Sequence, residues 1–320
     1  MSDPTGRFGG DFEVLSTILA WAEDDEPAAL VCVLRTWGSS PRPPGSLMAV
    51  RRRDGHVAGS VSGGCVESDL AARYSAGELA ACPTVVDYGV DPAGAARFGL
   101  PCGGQLELLV EEPEAAALRP VVAAIEAGAL IERRVCLKTH EVSLHRPSEE
   151  TAFRWVDDTA IKVYGPLWRL ILVGAGQIAD YLSRIAMMLG FHVTVCDPRT
   201  GFDSELDVVT VSRQMPDDLI HDLTHRHRTA VVTLAHDPKL DDLALLEALQ
   251  GGFFYVGALG SRRSSAARRE RLRLMDMDEA QLDSLRAPVG IDIGSHTPAE
   301  IAVAIAAELT AARNGLHRAV

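Results

Sequence analysis

Long apolar runs are missing from this chain of 320 residues. Its richest stretch, 301–312, contains Glu308 and is typical of a helix, whereas a membrane span needs about 18 uninterrupted apolar residues. The first residues, MSDPTGRFGGDFE, also lack the basic and then apolar pattern of a secretion signal. These absences predict a cytoplasmic protein with no membrane span.

An excess of basic charge is missing as well. The formal net charge is −13, which argues against nonspecific nucleic-acid binding and favours small molecules or proteins as partners. Local basic clusters at Arg51–Arg53 and Arg268–Arg269 remain candidate anion contacts.

Cysteine pairs with zinc-type spacing do not occur. The six cysteines contain no Cys-x-x-Cys pair, and a reducing compartment predicts free thiols. Three of them, Cys32, Cys136 and Cys196, lie within apolar alternating runs, which predicts that they are core residues.

Two other cysteines are flanked by glycine. The strings are Gly59-Ser-Val-Ser-Gly-Gly-Cys65-Val-Glu67 and Gly99-Leu-Pro-Cys102-Gly-Gly-Gln105. Glycine permits positive φ and lets main-chain N–H groups converge on a ligand, so the pattern predicts presented thiols. Cys65 is predicted to open a helix, whose positive N-terminus favours a thiolate.

The chain length suits two domains, and the pattern changes near Gly165-Pro166. Residues 1–164 combine helix-like and strand-like segments, which predicts a mixed α+β domain. Residues 165–320 alternate apolar strands with helices, which predicts a Rossmann-like, doubly wound parallel sheet in an α/β protein. Helical patterns close the chain over Arg262–Leu285 and Pro298–Arg313.

The string Leu172-Val-Gly174-Ala-Gly176-Gln-Ile-Ala179 follows a predicted strand and opens a helix, as in dinucleotide-binding folds. Asp197 ends the second strand and is predicted to accept hydrogen bonds from ribose hydroxyls. Instead, Arg199 two residues later could bind a phosphate. Alternatively, Asp197 is only a turn former before Pro198.

His236 and Asp237 follow the predicted fourth strand. The ends of the first and fourth strands flank the ligand crevice in this topology, so both side chains are candidates for ligand contact. They equally suit the cap of the helix that starts near Leu240.

Long ordered strings in both halves resemble the xanthine dehydrogenase accessory proteins, the XdhC/CoxI family. The strings are TWGSSPRPPG at 36–45, GSVSGGCVE, GLPCGG, VGAGQIA, CDPR at 196–199, HDP at 236–238, GALGSR at 257–262 and PVGIDIGSHTP at 288–298. Proteins of this family are understood to bind molybdenum cofactor, hold it while a cysteine desulfurase supplies its sulfido ligand, and deliver it to an apo-hydroxylase.

The resemblance implies a chaperone for molybdopterin or its dinucleotide form, with a xanthine dehydrogenase-type molybdenum hydroxylase as client. Cys65 and Cys102 would be molybdenum ligands or sulfur relays, because molybdenum held by a dithiolene is soft and accepts thiolates. Glycine-rich N–H nests suit the pterin phosphate. The candidate cofactor-binding residues are Ser39, Ser40, Arg42, Gly63, Gly64, Cys65, Glu67, Cys102, Gly103, Gly104, Gly174, Gly176, Asp197, Arg199, His236, Asp237 and Arg262.

Some of these residues have simpler interpretations. Ser39 and Ser40 are equally typical of residues that form turns. Arg42 also fits a solvated charge in a loop. Glu67 also fits a negative charge that complements the helix dipole. Gln177 stands where members of the family often carry a histidine, which removes a group that titrates near neutral pH. The stretch after Arg262 is less lysine-rich than the family pattern.

The alternative is an NAD(P)-dependent oxidoreductase with Asp197 on the ribose and His236 as acid or base. A homodimer is the expected assembly. The chaperone hypothesis expects Cys65 and Cys102 in one pocket of the first domain, facing the carboxyl edge of the Rossmann sheet.

Overall fold

The computed structural model describes residues 10–38, 42–79, 83–89, 105–147, 151–201 and 209–316, with main chain alone at 65 and 210. It divides into two units, Met1–Pro166 and Leu167–Val320. Within the described residues, none of the helices has the length and apolar character needed to cross a membrane.

The first unit is built on an antiparallel sheet in the order β3-β2-β1-β5-β4. Its elements are α1 (Gly10–Glu23), β1 (Ala28–Trp37), β2 (Leu47–Arg51), β3 (Val57–Gly59), α2 (Cys65–Ser75), β4 (Thr84–Tyr88), β5 (Gln105–Glu111) and α3 (Ala115–Glu126). The central strand β1 is buried on both faces over its first seven residues. Leu30 and Leu34 pack with α1 and α3, whereas Val31 and Val33 pack with α2.

A second, four-stranded sheet completes this unit in the order β7-β6-β9-β8. Its strands are β6 (Ile131–Cys136), β7 (Val142–His145), β8 (Phe153–Val156) and β9 (Thr159–Tyr164). Three of the strands lie in the region 142–164, which the sequence pattern leaves unassigned. β7 and β8 are half-exposed edge strands of four residues each, so they lack the apolar run that marks a buried strand.

The second unit is a parallel sheet in the order β12-β11-β10-β13-β14. Its strands are β10 (Trp168–Val173), β11 (Phe191–Cys196), β12 (Thr210–Ser212), β13 (Thr229–Thr233) and β14 (Tyr255–Ala258). Its helices are α4 (Gln177–Met188), α5 (Pro216–His221), α6 (Pro238–Gln250), α7 (Arg262–Leu274), α8 (Glu279–Ser284) and α9 (Pro298–Arg313).

Burial along β10 explains this double winding. Leu170 and Leu172 pack in the core with α4 and α9, whereas Ile171 and Val173 pack in the core with α6 and α7. β10 and β13 are the first and fourth strands of this sheet along the chain, and they pair directly. Their carboxyl ends therefore flank the crevice of the fold, as predicted. The predicted fold class, a Rossmann-like sheet after a mixed α+β part, is confirmed.

The helical section predicted over Arg262–Leu285 consists of two helices. α7 ends at Leu274, and Asp276 has a φ of +64° in the turn that follows. Asp278 then caps α8 by accepting from the N–H of Gln281.

Candidate functional site

The first glycine loop, residues 60–64, joins β3 to α2. Gly59 precedes it with a φ of +78°, and a Cβ there would lie 2.6 Å from the carbonyl oxygen of Leu47. No other residue fits at this position without moving β2. The loop therefore leaves the sheet edge by a sharp turn and places Cys65 at the first turn of α2, as predicted.

The carboxylate of Glu67 lies inside this loop. It accepts the main-chain N–H groups of Val61, Ser62, Gly63 and Gly64 at 2.7–3.0 Å. It also accepts the hydroxyls of Ser60 and Ser62 at 2.7 and 2.5 Å. Six donors thus converge on one side chain of the same segment.

These contacts fix the ionisation of Glu67. Burial by itself raises the pKa of the carboxyl, but the hydrogen bonds from Ser62, Ser60 and Gly63 outweigh burial and lower the pKa to about 2. Glu67 is therefore an anion at neutral pH, and its charge lies at the positive end of α2.

The other predicted residues of this unit are only partly described. Gly63, Gly64 and Arg42 are exposed. Ser39, Ser40, Cys102, Gly103, Gly104 and the side chain of Cys65 lie outside the described residues. The expected pocket shared by Cys65 and Cys102 stays a prediction for that reason.

Two of the three cysteines predicted to be core residues are buried. Burial raises the pKa of Cys32 and of Cys196 to about 12, so both are inert thiols. The prediction is wrong for Cys136, which is half-exposed at the end of β6. Hydrogen bonds from Thr139 and Lys138 lower the pKa of the Cys136 thiol to about 7, which favours the thiolate.

The second glycine loop joins β10 to α4. Gly174 has a φ of +102°, and a Cβ there would lie 2.6 Å from the Cα and N atoms of Ala235. Gly174 therefore lets the loop touch the segment that follows β13. Gly176, the N-cap of α4, has open space where a Cβ would lie.

Asp197 at the end of β11 turns inward to this loop. The residue is fully buried, and its carboxylate accepts the N–H of Ala175 at 2.9 Å. Arg199 donates to it three times, through its main-chain N–H, Nε and Nη2, at 2.8–3.0 Å. Burial by itself raises the pKa of Asp197, but the bonds from Arg199 and Ala175 outweigh burial and hold the pKa below its usual range.

A cavity of about 340 Å³ opens beside this loop at the carboxyl edge of the sheet. The loop glycines Gly174 and Gly176, the N-terminal residues of α4, Arg199 and His236 line it. The first N–H groups of a helix have no intrahelical partner, and they carry partial positive charge. The cavity therefore suits an anionic group.

His236 has a φ of +54°, uncommon for a residue with a side chain, and it is exposed after β13. It lines the large cavity and a second one of about 190 Å³ between the ends of β13 and β14. Asp237 caps α6 by accepting from the N–H of Lys239 at 3.0 Å, which is the structural alternative considered for it. Arg262 begins α7 with its side chain 91% exposed, beside Asp292.

A buried acid that the sequence does not single out supports the segment after β13. Asp241 accepts the N–H of Ala235 at 3.2 Å and pairs with Arg268 at 3.0 Å. Burial, partly offset by Arg268, raises the pKa of Asp241 to about 6. Nothing in the Asp-Asp pair at 241–242 distinguishes it from an exposed helix start.

The inward turn of Glu67 was detectable in principle. A glutamate three residues after an N-cap is the signal of a capping box, and Glu67 stands three residues after Gly64. The convergence of four N–H groups depends on main-chain torsions, such as the φ of +81° at Gly63, that residue types leave open.

The fold and the site define a class of proteins with two units. In this class a mixed α+β unit, with a glycine loop before a helix, precedes a Rossmann unit. Residues 21–89 match the model of the XdhC and CoxI family, and residues 170–309 match that of the XdhC Rossmann domain. These matches together span more than half of the sequence, and the chain belongs to the XdhC and CoxI family.

Relatives with curated names agree with this membership. The chain is 28% identical to the molybdenum cofactor insertion chaperone PaoD of Escherichia coli K12, over 91% of this chain and 84% of PaoD. It is 25% identical to a probable subunit of xanthine dehydrogenase from Bacillus subtilis 168, over 95% of this chain and 98% of that protein. A crystal structure of a Bacillus halodurans protein described as a xanthine dehydrogenase has a TM-score of 0.75 at 25% identity, over 97% of each chain.

Proposed function

We propose that this protein is an accessory chaperone that binds molybdenum cofactor and delivers it to a xanthine dehydrogenase-type molybdenum hydroxylase. The observation that carries the proposal is the cavity beside Gly174 and Gly176, with a helix N-terminus and Arg199 at its wall. Membership of the XdhC and CoxI family and similarity to the molybdenum cofactor insertion chaperone PaoD support it.

The residues of the cavity fit the phosphate end of a pterin cofactor. Gly176 leaves open space before the first N–H groups of α4, and Arg199 supplies a guanidinium. A cavity of about 340 Å³ is within the usual range of about 300–1,000 Å³ for small-molecule sites. The binding of either molybdopterin or its dinucleotide form is consistent with this chemistry.

As a separate part of the proposal, Cys65 and Cys102 are the thiolate ligands of molybdenum. When bound, the cofactor would supply a soft molybdenum centre that accepts thiolates. Glycine stands next to both cysteines in the sequence, and glycine adds no side chain that would obstruct a ligand.

Three further parts belong to the same proposal. A cysteine desulfurase would sulfurate the cofactor while the chaperone holds it, the protein would work in the cytoplasm, and it would form a homodimer. Co-purification with a desulfurase and with a molybdenum hydroxylase, and the mass in solution, test them. A monomer that captures neither protein would contradict them.

The oxidoreductase alternative depends on Asp197 as the ribose acceptor. Its carboxylate is instead fully buried and bonded to Ala175 and Arg199. No observation therefore favours NAD(P) over a pterin phosphate. Titration with NADH and NADPH, followed by the fluorescence of Trp168 at the start of β10 and by the shift in melting temperature, would revive the alternative if either nucleotide bound tightly.

The direct test is elemental and pterin analysis of protein purified from molybdenum-replete cells. We expect molybdenum and pterin to co-purify, and Cys65→Ala and Cys102→Ala to reduce retention. Cys136→Ala is the matched control, because Cys136 is an accessible thiol outside the glycine strings. Nicotinamide without molybdenum would overturn the function, and unchanged retention in both variants would overturn the thiol assignment.

A further inference from the structure

The loop at 60–64 has the form of an anion-binding nest whose anion belongs to the chain. Consecutive main-chain N–H groups that converge on one point normally bind a phosphate or another exogenous anion. Here the N–H groups of residues 61–64 all reach the carboxylate of Glu67, within 3.0 Å. Two serine hydroxyls complete the shell.

The geometry leaves little room for a different anion at the same donors. Each N–H group has one hydrogen to donate, and those of Ser62 and Gly63 already lie 2.7 Å from Glu67. A phosphate could use them only if Glu67 left the loop. The negative charge of Glu67 also offsets the partial positive charge at the start of α2.

We propose that Glu67 is a positioning residue: it occupies the nest permanently, so that the loop orients Cys65 at the start of α2 and binds no anion of its own. This inference rests on the proposed role of Cys65 and goes beyond it. It removes Glu67, Gly63 and Gly64 from the direct ligands of the cofactor and makes them the support of a thiol.

The test uses the full chain without cofactor, so that it does not depend on molybdenum binding. The alkylation rate of Cys65 by iodoacetamide is measured at pH 7, with peptide mass spectrometry to separate it from the other thiols. We expect Glu67→Gln to change this rate several-fold, because the loop no longer fixes the start of α2. Amide hydrogen exchange at 61–64 should accelerate by about tenfold or more, because a Gln side chain replaces only part of the acceptor set.

Chemical rescue separates positioning from general damage to the fold. In Glu67→Ala, formate at about 100 mM should restore slow exchange at 61–64 and return the alkylation rate at pH 7 towards that of the wild type, because a small carboxylate fits the vacated nest. Chloride at equal ionic strength should do neither. Asp69→Ala is the matched control, because Asp69 lies on the same helix and accepts from Tyr88 instead of the loop; it should not respond to formate.

Two outcomes would overturn the inference. One is an unchanged alkylation rate and unchanged exchange in Glu67→Gln. The other is loss of cofactor retention in Glu67→Gln with alkylation and exchange as in the wild type, which would make Glu67 a direct ligand. The formate rescue does not require the protein to bind cofactor. Failure of the proposed function can therefore be distinguished from failure of this inference.

Discussion

The two glycine loops of this protein are both closed by a carboxylate of their own chain, but to different extents. Glu67 accepts all four N–H groups of residues 61–64. Asp197 accepts one loop N–H group, that of Ala175, and its other bonds go to Arg199. The first loop is filled, whereas the second leaves the N-terminus of α4 facing a cavity.

Similar glycine content therefore serves two purposes. In the first loop the glycines allow the main chain to wrap a glutamate and fix the start of a helix. In the second loop the glycines allow close approach to the segment that follows β13, and they leave space at the N-terminus of α4. The anion of an incoming ligand belongs with the second loop.

The largest expected effect is that of Gly174→Ala. The new Cβ would lie 2.6 Å from the main chain of Ala235, at a φ of +102° that side chains disfavour. Strain and overpacking together should destabilise the second unit by about 4 kcal/mol. Urea unfolding followed by hydrogen exchange of peptides from 168–316 measures this, and wild-type stability would contradict the close approach.

Asp197→Asn should have the next largest effect. It removes the charged partner of Arg199 at a fully buried position and should cost about 3 kcal/mol. The same unfolding measurement applies. Asp180→Asn, which breaks the i,i+4 pair with Arg184, is the control and should change the free energy of unfolding by about 0.5 kcal/mol or less. Equal effects of the two variants would show that Asp197 does not close the loop.

Glu67→Gln should destabilise the first unit by about 2 kcal/mol near neutral pH. The pKa of Glu67 in the folded protein is about 2, below its ordinary value of 4.5. The carboxylate therefore stabilises the fold above pH 4.5, and this contribution is lost as the pH falls towards 2.

We expect the stability of the wild type to fall across that pH range more steeply than that of Glu67→Gln, by thermal unfolding at matched ionic strength. Glu78→Gln, a change at an exposed residue of the same unit, should follow the wild type. Parallel curves for the wild type and Glu67→Gln would contradict the nest.

The smallest effect is expected for Gly64→Ala. Gly64 is extended, at a φ of −177°, and has open space where a Cβ would lie, so stability should change by about 0.5 kcal/mol or less. Gly59→Ala in the same segment should be far more damaging because of Leu47 and the positive φ. Comparison of the two melting temperatures checks this, and equal losses would mean that the loop needs glycine throughout.

Much of the second unit could be predicted from the sequence because its strands are apolar on both faces and its helices are amphipathic. The predicted helical segment Pro298–Arg313 matches the structure residue for residue. The short edge strands β7 and β8 carry a weaker pattern.

The chemistry of the loops was less predictable. The sequence identifies Asp197 and Glu67 as acids near glycines, but which way each side chain turns depends on rotamers and neighbouring N–H groups. Asp197 accepts from Ala175 and Arg199, and Glu67 contacts the loop as well as the helix end. Cys136 is half-exposed because β6 ends at that residue.

The most direct test of the difference between the loops is mapping of main-chain amide shifts with pyrophosphate by NMR. Pyrophosphate stands in for the phosphate of the cofactor. We predict saturable shifts at Gly176, Gln177 and Ile178, with none at Ser62, Gly63 and Gly64. Shifts at residues 62–64 with none at 176–178 would contradict the account.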